Sequence, residues 1–535
     1  MTAGPGLLIG TEAHRALCSG IDRMANLVRP TLGPTPRHVA ISPLSSGGMP
    51  EVLDDAATIL RRVVQLPNPY VDMGAMLLRH TLHRTAEAVA EGTATTAVLM
   101  QAIVRHASRA IAAGCDPVAI RHGLESGLLA AVGALQQMAR PLEGSTAITN
   151  AAGMLCQDRE LARLLGEIFD IAGSDGLVYV EAKHTLGLER QYIEGLYWNE
   201  GLLSPYFITH VAKQEARLEE PALLLSDLRL TSAEELVPLL EQVVATGATT
   251  LLIVADELSG SALNLLVANH QAGILHCAAV KTPSYGQQRA AILEDLAILT
   301  GGRAIIAQAG ASLNNVGPAD LGHARLAWAT AKAFGLRGGQ GDRLQLRERI
   351  KTTKAELAHL TNTAARDDVR ARLGKLLGGV AILQVGAVSE GALETAKAQA
   401  QRATTALRLA LQGGVVPGGG RAFLLCHPAV QHVALAGDAC YGRDALLHAL
   451  AEPLLVIAHN AGYAGPTIVA QVTQAPADCG FDARSGQLVD VWRTGLLDPA
   501  LVLIAALEAA VSGAVMALTT DVLVHRRQPP EVIEP

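Results

Sequence analysis

Glu91-Gly92-Thr93-Ala94-Thr95-Thr96 places an acid, a glycine and a threonine-rich run directly before the apolar-periodic stretch 98–104. The pattern predicts a helix start. Free amide N–H groups and the positive end of the helix dipole favour an anion there, Gly92 lets the backbone come close, and the threonine hydroxyls add donors. Glu91 would repel a phosphate unless a cation lay between them, which points to a Mg²⁺ bridge. The commoner meaning of such a segment is a plain helix cap with a threonine-rich first turn. Alone, the stretch does not choose between the two.

The chain has 535 residues, more than one hydrophobic core usually serves, so about two to four domains are expected. Half of the residues are apolar and only 3% are aromatic, which favours closely packed Ala- and Leu-rich helices over an aromatic-rich sheet. The net charge of -7 comes without a block of like charge or a basic patch, so nucleic acid is not an expected partner. No uninterrupted apolar run reaches membrane-spanning length, and residues 1–5 lack the regions of a signal peptide. The expected location is the cytoplasm, with no membrane association. Seven cysteines stand singly, which argues for buried thiols rather than disulfides or structural zinc. His80 and His83 have a spacing that could hold a metal, but no third ligand completes a set, and surface histidines are the preferred reading.

Working outward from the opening stretch, residues 73–137 are helical in pattern, with breaks at Glu91-Gly92 and at Gly114-Cys115-Asp116-Pro117. Before them lie an apolar-periodic helix over 12–29 stopped by Pro30, the tight loop Thr31-Leu32-Gly33-Pro34-Thr35-Pro36, a short strand at 39–41, and the adjacent acids Asp54 and Asp55 at the head of another helical run. Paired acids can bind metal, although most such pairs simply favour a helix dipole. A helix over 158–172 leads to a glycine turn at Gly176 and a short strand. Between about 195 and 380, apolar strands (222–225, 251–254, 274–280, 304–306) alternate with helices (233–244, 261–270, 287–300), which predicts an α/β domain. Residues 351–377 read as a solvated helical hairpin ended by Gly378-Gly379. A strand at 380–385 and a long helix over 390–412 precede Gly413-Gly414-Val415-Val416-Pro417-Gly418-Gly419-Gly420-Arg421, which is not a P-loop, since no Gly-x-x-x-x-Gly-Lys-[Ser/Thr] is present. Helices at 445–461 and 498–519 return to the texture of the first 138 residues, so the two chain ends are expected to build one domain around an insertion.

Thr31-Leu32-Gly33-Pro34, Gly92-Thr-x-Thr-Thr, Leu203-Ser204-Pro205-Tyr206-Phe207, Leu299-Thr300-Gly301-Gly302, Gly378-Gly379-Val380-Ala381, the 413–420 glycine run and Leu497-Asp498-Pro499 follow one another as in a GroEL-like group I chaperonin, which the chain resembles over nearly its whole length. The resemblance implies a multidomain α/β fold: a mainly helical equatorial domain from 1–138 and 413–535, a small intermediate hinge from 139–193 and 380–412, and an α/β apical domain at 194–379. It implies ATP and Mg as cofactors. The nucleotide pocket would comprise Thr31, Leu32, Gly33, Pro34, Gly92, Thr93, Ala94, Thr95, Gly418 and Gly419, with Asp482 and Asp498 near base and ribose. Glu91 falls at the family's magnesium-binding aspartate, and Asp55 at a further acid beside the phosphates. Ala94 lacks a hydroxyl the family usually has, Asp54 stands where a lysine is usual, and Glu91 is a methylene longer than aspartate.

The largest departure is on the helix 390–412. In the family this helix presents an aspartate that positions the attacking water, and the matching residue here is Arg402. A cation cannot accept the water's proton, and general-base help is typically worth about 10²–10⁴ in rate, so binding is expected to survive while hydrolysis is weak or absent. Arg402 could pair with the terminal phosphate. The plainer reading is a solvated helix residue with another acid substituting, but Glu394 lies about two turns away, too far to do so directly.

The resemblance also implies capture of unfolded polypeptides, and of a co-chaperonin lid, by Leu202, Tyr206, Phe207, Val237, Leu240, Leu263, Val267 and Ala268. Without the resemblance, helical Leu and Val of this kind would be ordinary core. A homo-oligomeric, seven-membered ring is the family's assembly. Leu455 replaces an arginine at the usual ring-to-ring contact, the facing acid is lost near Ala464-Gly465, and residues 526–535 lack a Gly-Gly-Met tail. Two further readings stand beside an ATP-regulated folding chaperonin: a non-cycling ring paralogue that holds nucleotide and clients, and, distantly, a metabolic nucleotide-binding α/β enzyme.

Overall fold

The computed structural model describes residues 6–42, 50–53, 55–63, 65–142, 144–156, 158–172, 177–183, 185–194, 196–210, 213–284, 286–360, 363–376 and 379–525. Asp54, Gly176, Gly378 and the segments 1–5 and 526–535 discussed above lie outside them. The chain forms two compact units, one from residues 1–170 and 394–535, the other from residues 171–393.

The terminal unit is built on long apolar helices. Thr11–Val28, Pro69–Val89, Thr93–Ala112, Pro117–Met138, Ala439–Asn460 and Ala500–Leu518 send Ile21, Met24, Leu78, Leu99, Ile103, Leu124, Leu446, Leu450 and Leu507 into one core. Asn68 and Asp116 cap their helices through side-chain acceptors, each with proline at the first helical position, as the start signals predict. The scarcity of aromatics has a packing consequence. A Cβ on Gly20 would lie 1.9 Å from the Val71 carbonyl oxygen, and one on Gly74 would lie 2.1 Å from that of Leu17, so these two helices touch backbone to backbone where only glycine fits. Pro117–Met138 and Ala500–Leu518 are long and apolar enough by composition to cross a membrane; the second packs against Pro69–Val89, Thr93–Ala112 and Pro117–Met138 and buries Leu503, Leu507, Val511 and Ala514 in the core. The strands Gly6–Ile9 and Val522–His525 pair antiparallel and join the chain's two ends.

The middle unit holds a mixed sheet in the order His276–Lys281, Thr250–Ala255, Ala222–Ser226, Gly322–Thr330, Phe334–Gly339, Leu196–Trp198. The first three strands are parallel, with Leu251 paired to both Ala222 and Cys277. Every residue of Ala222–Ser226 is buried, which explains its unbroken apolar run, since a central parallel strand is covered on both faces. A second sheet places Gly379–Gly386 between Leu177–Ala182 (parallel) and Gly187–Glu194 (antiparallel). The charged hairpin Arg343–His359 and Thr363–Leu376 is fastened to Gly286–Thr300 by the buried Asp295, which accepts from Arg349 Nε at 2.6 Å and Arg372 Nε at 2.7 Å. The expectation of buried thiols holds for Cys156, Cys277 and Cys426, whereas Cys18, Cys115, Cys440 and Cys479 are half-buried; all seven are free. His80 and His83 are exposed, and His83 Nε2 lies 3.1 Å from Glu87 Oε1.

Candidate functional site

Loops of the terminal unit gather the expected nucleotide positions. Thr31 ends the short 3-10 turn Arg29–Thr31, and Leu32, Gly33 and Pro34 follow it. Asn460, the last residue of its helix, donates Nδ2–H to the carbonyls of Arg29 (2.9 Å) and Leu32 (2.8 Å) and so fixes the loop. Leu32 packs against the apolar cluster that includes Leu454, Ile457 and Phe481, the last of which directly precedes Asp482. The Thr31 hydroxyl donates to the Val28 carbonyl at 2.8 Å, serving its own turn.

Gly92 caps the helix Thr93–Ala112 with φ of 79°, a left-handed conformation that glycine adopts without strain. Its neighbours Val502 and Ala506 belong to the helix Ala500–Leu518, so the loop rests just beyond Asp498. Thr96 supplies the first intrahelical bond, to the Gly92 carbonyl at 2.9 Å. The amides of Thr93, Ala94 and Thr95 precede it and, by helix geometry, have no intrahelical acceptor. Thr93 and Thr95 are buried, and Ala94 packs against the core.

Gly418 and Gly419 link the strand Val415–Pro417 to the helix Arg421–Leu425. That strand pairs antiparallel with Leu497–Pro499, setting Val416 opposite Asp498, and the Asp498 carboxylate accepts from the Gly419 N–H. Arg421, buried, donates to the carbonyls of Val472, Ala475 and Pro476 and pins the glycine run. Asp482 accepts from Arg484 N–H at 3.0 Å and Ser485 Oγ at 2.7 Å, so its carboxylate is engaged within its own turn.

The acids sit together around one cation. Asp55 is the N-cap of Ala56–Arg62, accepting from Thr58 N–H at 2.8 Å and from the Thr58 hydroxyl. Arg402, on the helix Glu390–Gly413, places Nη1 3.6 Å from Asp55 Oδ1 and Nε 3.9 Å from Glu91 Oε1. Both separations exceed hydrogen-bond length, so the pairing is electrostatic and leaves the guanidinium N–H groups without an acceptor among the described residues. Burial pushes Glu91 up to about 7, opposed by Arg402 and by the Gly92 N–H and reinforced by Asp55 and Asp498. Burial likewise raises Asp498 to about 6, against the Gly419 hydrogen bond.

The apolar positions expected to capture polypeptide lie in the middle unit and divide by exposure. Tyr206 is 64% exposed and Ala268 is also exposed; Leu202, Val237, Leu263 and Val267 are half-buried. Phe207 and Leu240 are buried among the core residues. For these two the description as ordinary core applies: Phe207 turns inward from the short turn Pro205–Phe207 against His270, and Leu240 lies on the inner face of Ala233–Ala245.

A sequence model of the TCP-1/cpn60 chaperonin family matches residues 24–528. The chain belongs to that family. Its fold is similar to that of the chaperonin gp146 from the bacteriophage EL 2 (Pseudomonas aeruginosa), crystallised in the presence of ATP-BeFx, with a TM-score of 0.72 and 16% identity over 98% of this chain and 99% of that one. The GroEL-like resemblance is thereby established and the fold is the multidomain chaperonin fold, which leaves the metabolic-enzyme reading without support. Membership implies binding of unfolded polypeptides and assembly into rings.

A resident magnesium ion, which the family pattern assigns to Glu91, does not fit the donor set of this chaperonin. A guanidinium lies within 4 Å of both Asp55 and Glu91, and a second cation between the same carboxylates would be repelled by it. Sequence reasoning missed Asn460, Thr58 and Arg421. Only Arg421 carried a signal, an arginine directly behind the glycine run and ahead of an apolar segment.

Proposed function

We propose that this chaperonin subunit binds ATP against the Gly92–Thr95 helix start and the Gly418-Gly419 turn, captures non-native polypeptides in a ring, and turns nucleotide over slowly or not at all. The observation that carries the reading is the place of Arg402. It reaches the acids at the head of the phosphate loop, where a water-positioning aspartate is expected, and a guanidinium cannot take a proton from water. Binding needs only the free amides at the helix start, the positive end of its dipole and the Arg402 guanidinium, whereas hydrolysis needs an acceptor for the proton of the attacking water. The two functions therefore separate in this site.

The captured polypeptide would meet Tyr206, Ala268 and the half-buried Leu202, Val237, Leu263 and Val267, an apolar set suited to unspecific contact. A homo-oligomeric ring of seven and a co-chaperonin lid are the assembly and partner that suit this reading. Purified particles, sized and assayed in parallel for ATP binding and phosphate release, test it: binding with little release is expected, and ordinary chaperonin turnover would overturn it.

A further inference from the structure

We propose that Arg402 takes the place of the divalent metal in this chaperonin, so that the site binds a nucleoside triphosphate without Mg²⁺. The inference rests on the nucleotide reading above and concerns how the phosphates are held. A phosphate beside Asp55 and Glu91 needs a cation between itself and the carboxylates. The family pattern supplies a metal; this chain supplies Arg402, with Nη1 3.6 Å from Asp55 and Nε 3.9 Å from Glu91.

The chemistry of the group suits that role. Guanidinium carries five N–H donors in a planar fork that matches phosphate oxygens two at a time and keeps its charge at every accessible pH. At these distances the carboxylates orient the fork without forming hydrogen bonds, so its donors remain free to turn to a ligand. The amides of Thr93, Ala94 and Thr95 begin the helix whose cap, Gly92, directly follows Glu91, and would share the same phosphate oxygens. Arg402 carries one charge where the metal carries two, so the binding it gives should be indifferent to metal rather than tighter than in relatives.

Titration of the full-length protein with a fluorescent ATP analogue, in magnesium buffer and in EDTA, tests the proposal on wild type, Arg402→Gln and Arg402→Asp. Wild-type affinity should differ by less than about threefold between the buffers, Arg402→Gln should lose about tenfold or more in EDTA, and Arg402→Asp should bind only with magnesium. Wild type that binds in magnesium but not in EDTA overturns this proposal and leaves the nucleotide reading standing. No binding in either buffer overturns both, and Arg402→Gln binding in EDTA as wild type does removes the role of Arg402. The two-buffer comparison of wild type decides whether the metal is dispensable even where a variant fails to fold, and the Arg402 variants decide whether the guanidinium replaces it.

Discussion

Arg402 Nη1 lies 3.6 Å from Asp55 Oδ1, while Asp55 Oδ2 accepts the Thr58 N–H at 2.8 Å. One carboxylate therefore caps the helix Ala56–Arg62 and orients the arginine. The two tasks separate by substitution. Asp55→Asn keeps an acceptor suited to the cap and loses the ion pair, whereas Asp55→Ala loses both, so chemical denaturation should find the alanine variant less stable than the asparagine variant by about 1 kcal/mol. Equal stability of the two would show that the cap contributes nothing.

Restoring a carboxylate should restore turnover. In Arg402→Asp the guanidinium is replaced by a group able to orient water and accept its proton, and phosphate release should rise by about tenfold or more, within the about 10²–10⁴ that such help supplies. A phosphate-release assay at saturating ATP with magnesium measures it. An unchanged rate would contradict the assignment of slow turnover to Arg402.

Asp498 gives a pH signature with a definite sign. Burial raises it from 3.8 to about 6, so the folded protein holds a proton that the unfolded chain releases. Its contribution to stability is complete below about 3.8 and is lost as pH rises through about 6. Asp498→Asn, neutral throughout, should therefore melt higher than wild type at pH 8, and the difference should shrink as the pH falls towards 4. Thermal melts across that range check it, and a difference independent of pH would contradict the shift.

Neighbouring aromatics of the middle unit should respond differently to loss. Tyr206 is 64% exposed and Phe207 fully buried. Tyr206→Ser should weaken suppression of aggregation of a denatured client severalfold while leaving the melting temperature close to wild type, whereas Phe207→Ala should cost about 3–5 kcal/mol by opening a cavity. A Tyr206 variant with intact capture would move the binding surface away from this turn.

Much of the terminal unit could be read from sequence because its signals are local. Pro30, Gly92, Gly114 and Pro117 punctuate helices whose apolar residues recur every three or four positions, and the observed bounds Thr11–Val28, Thr93–Ala112 and Pro117–Met138 follow them closely. Pairings between distant segments carried no such signal. Gly6–Ile9 joins Val522–His525 across the length of the chain, and each strand is too short to announce itself by alternation. The helix Ser145–Leu155 was likewise hidden, behind small residues that follow Gly144. At the candidate site, family register led to the expectation of Arg402 near the 91–96 stretch, but which acids it meets, Asp55 and Glu91, depends on the packing of Glu390–Gly413. Exposure was legible least: Tyr206 and Phe207 are adjacent in one motif, and only the fold turns one outward and the other in.

The most direct test of the account is a single-turnover experiment in which purified wild-type protein is mixed with labelled ATP and bound ATP and ADP are separated over time. In magnesium buffer, nucleotide should be retained as ATP, with ADP appearing at least about tenfold more slowly than on Arg402→Asp. Conversion of bound ATP by the wild type as fast as by the aspartate variant would contradict it.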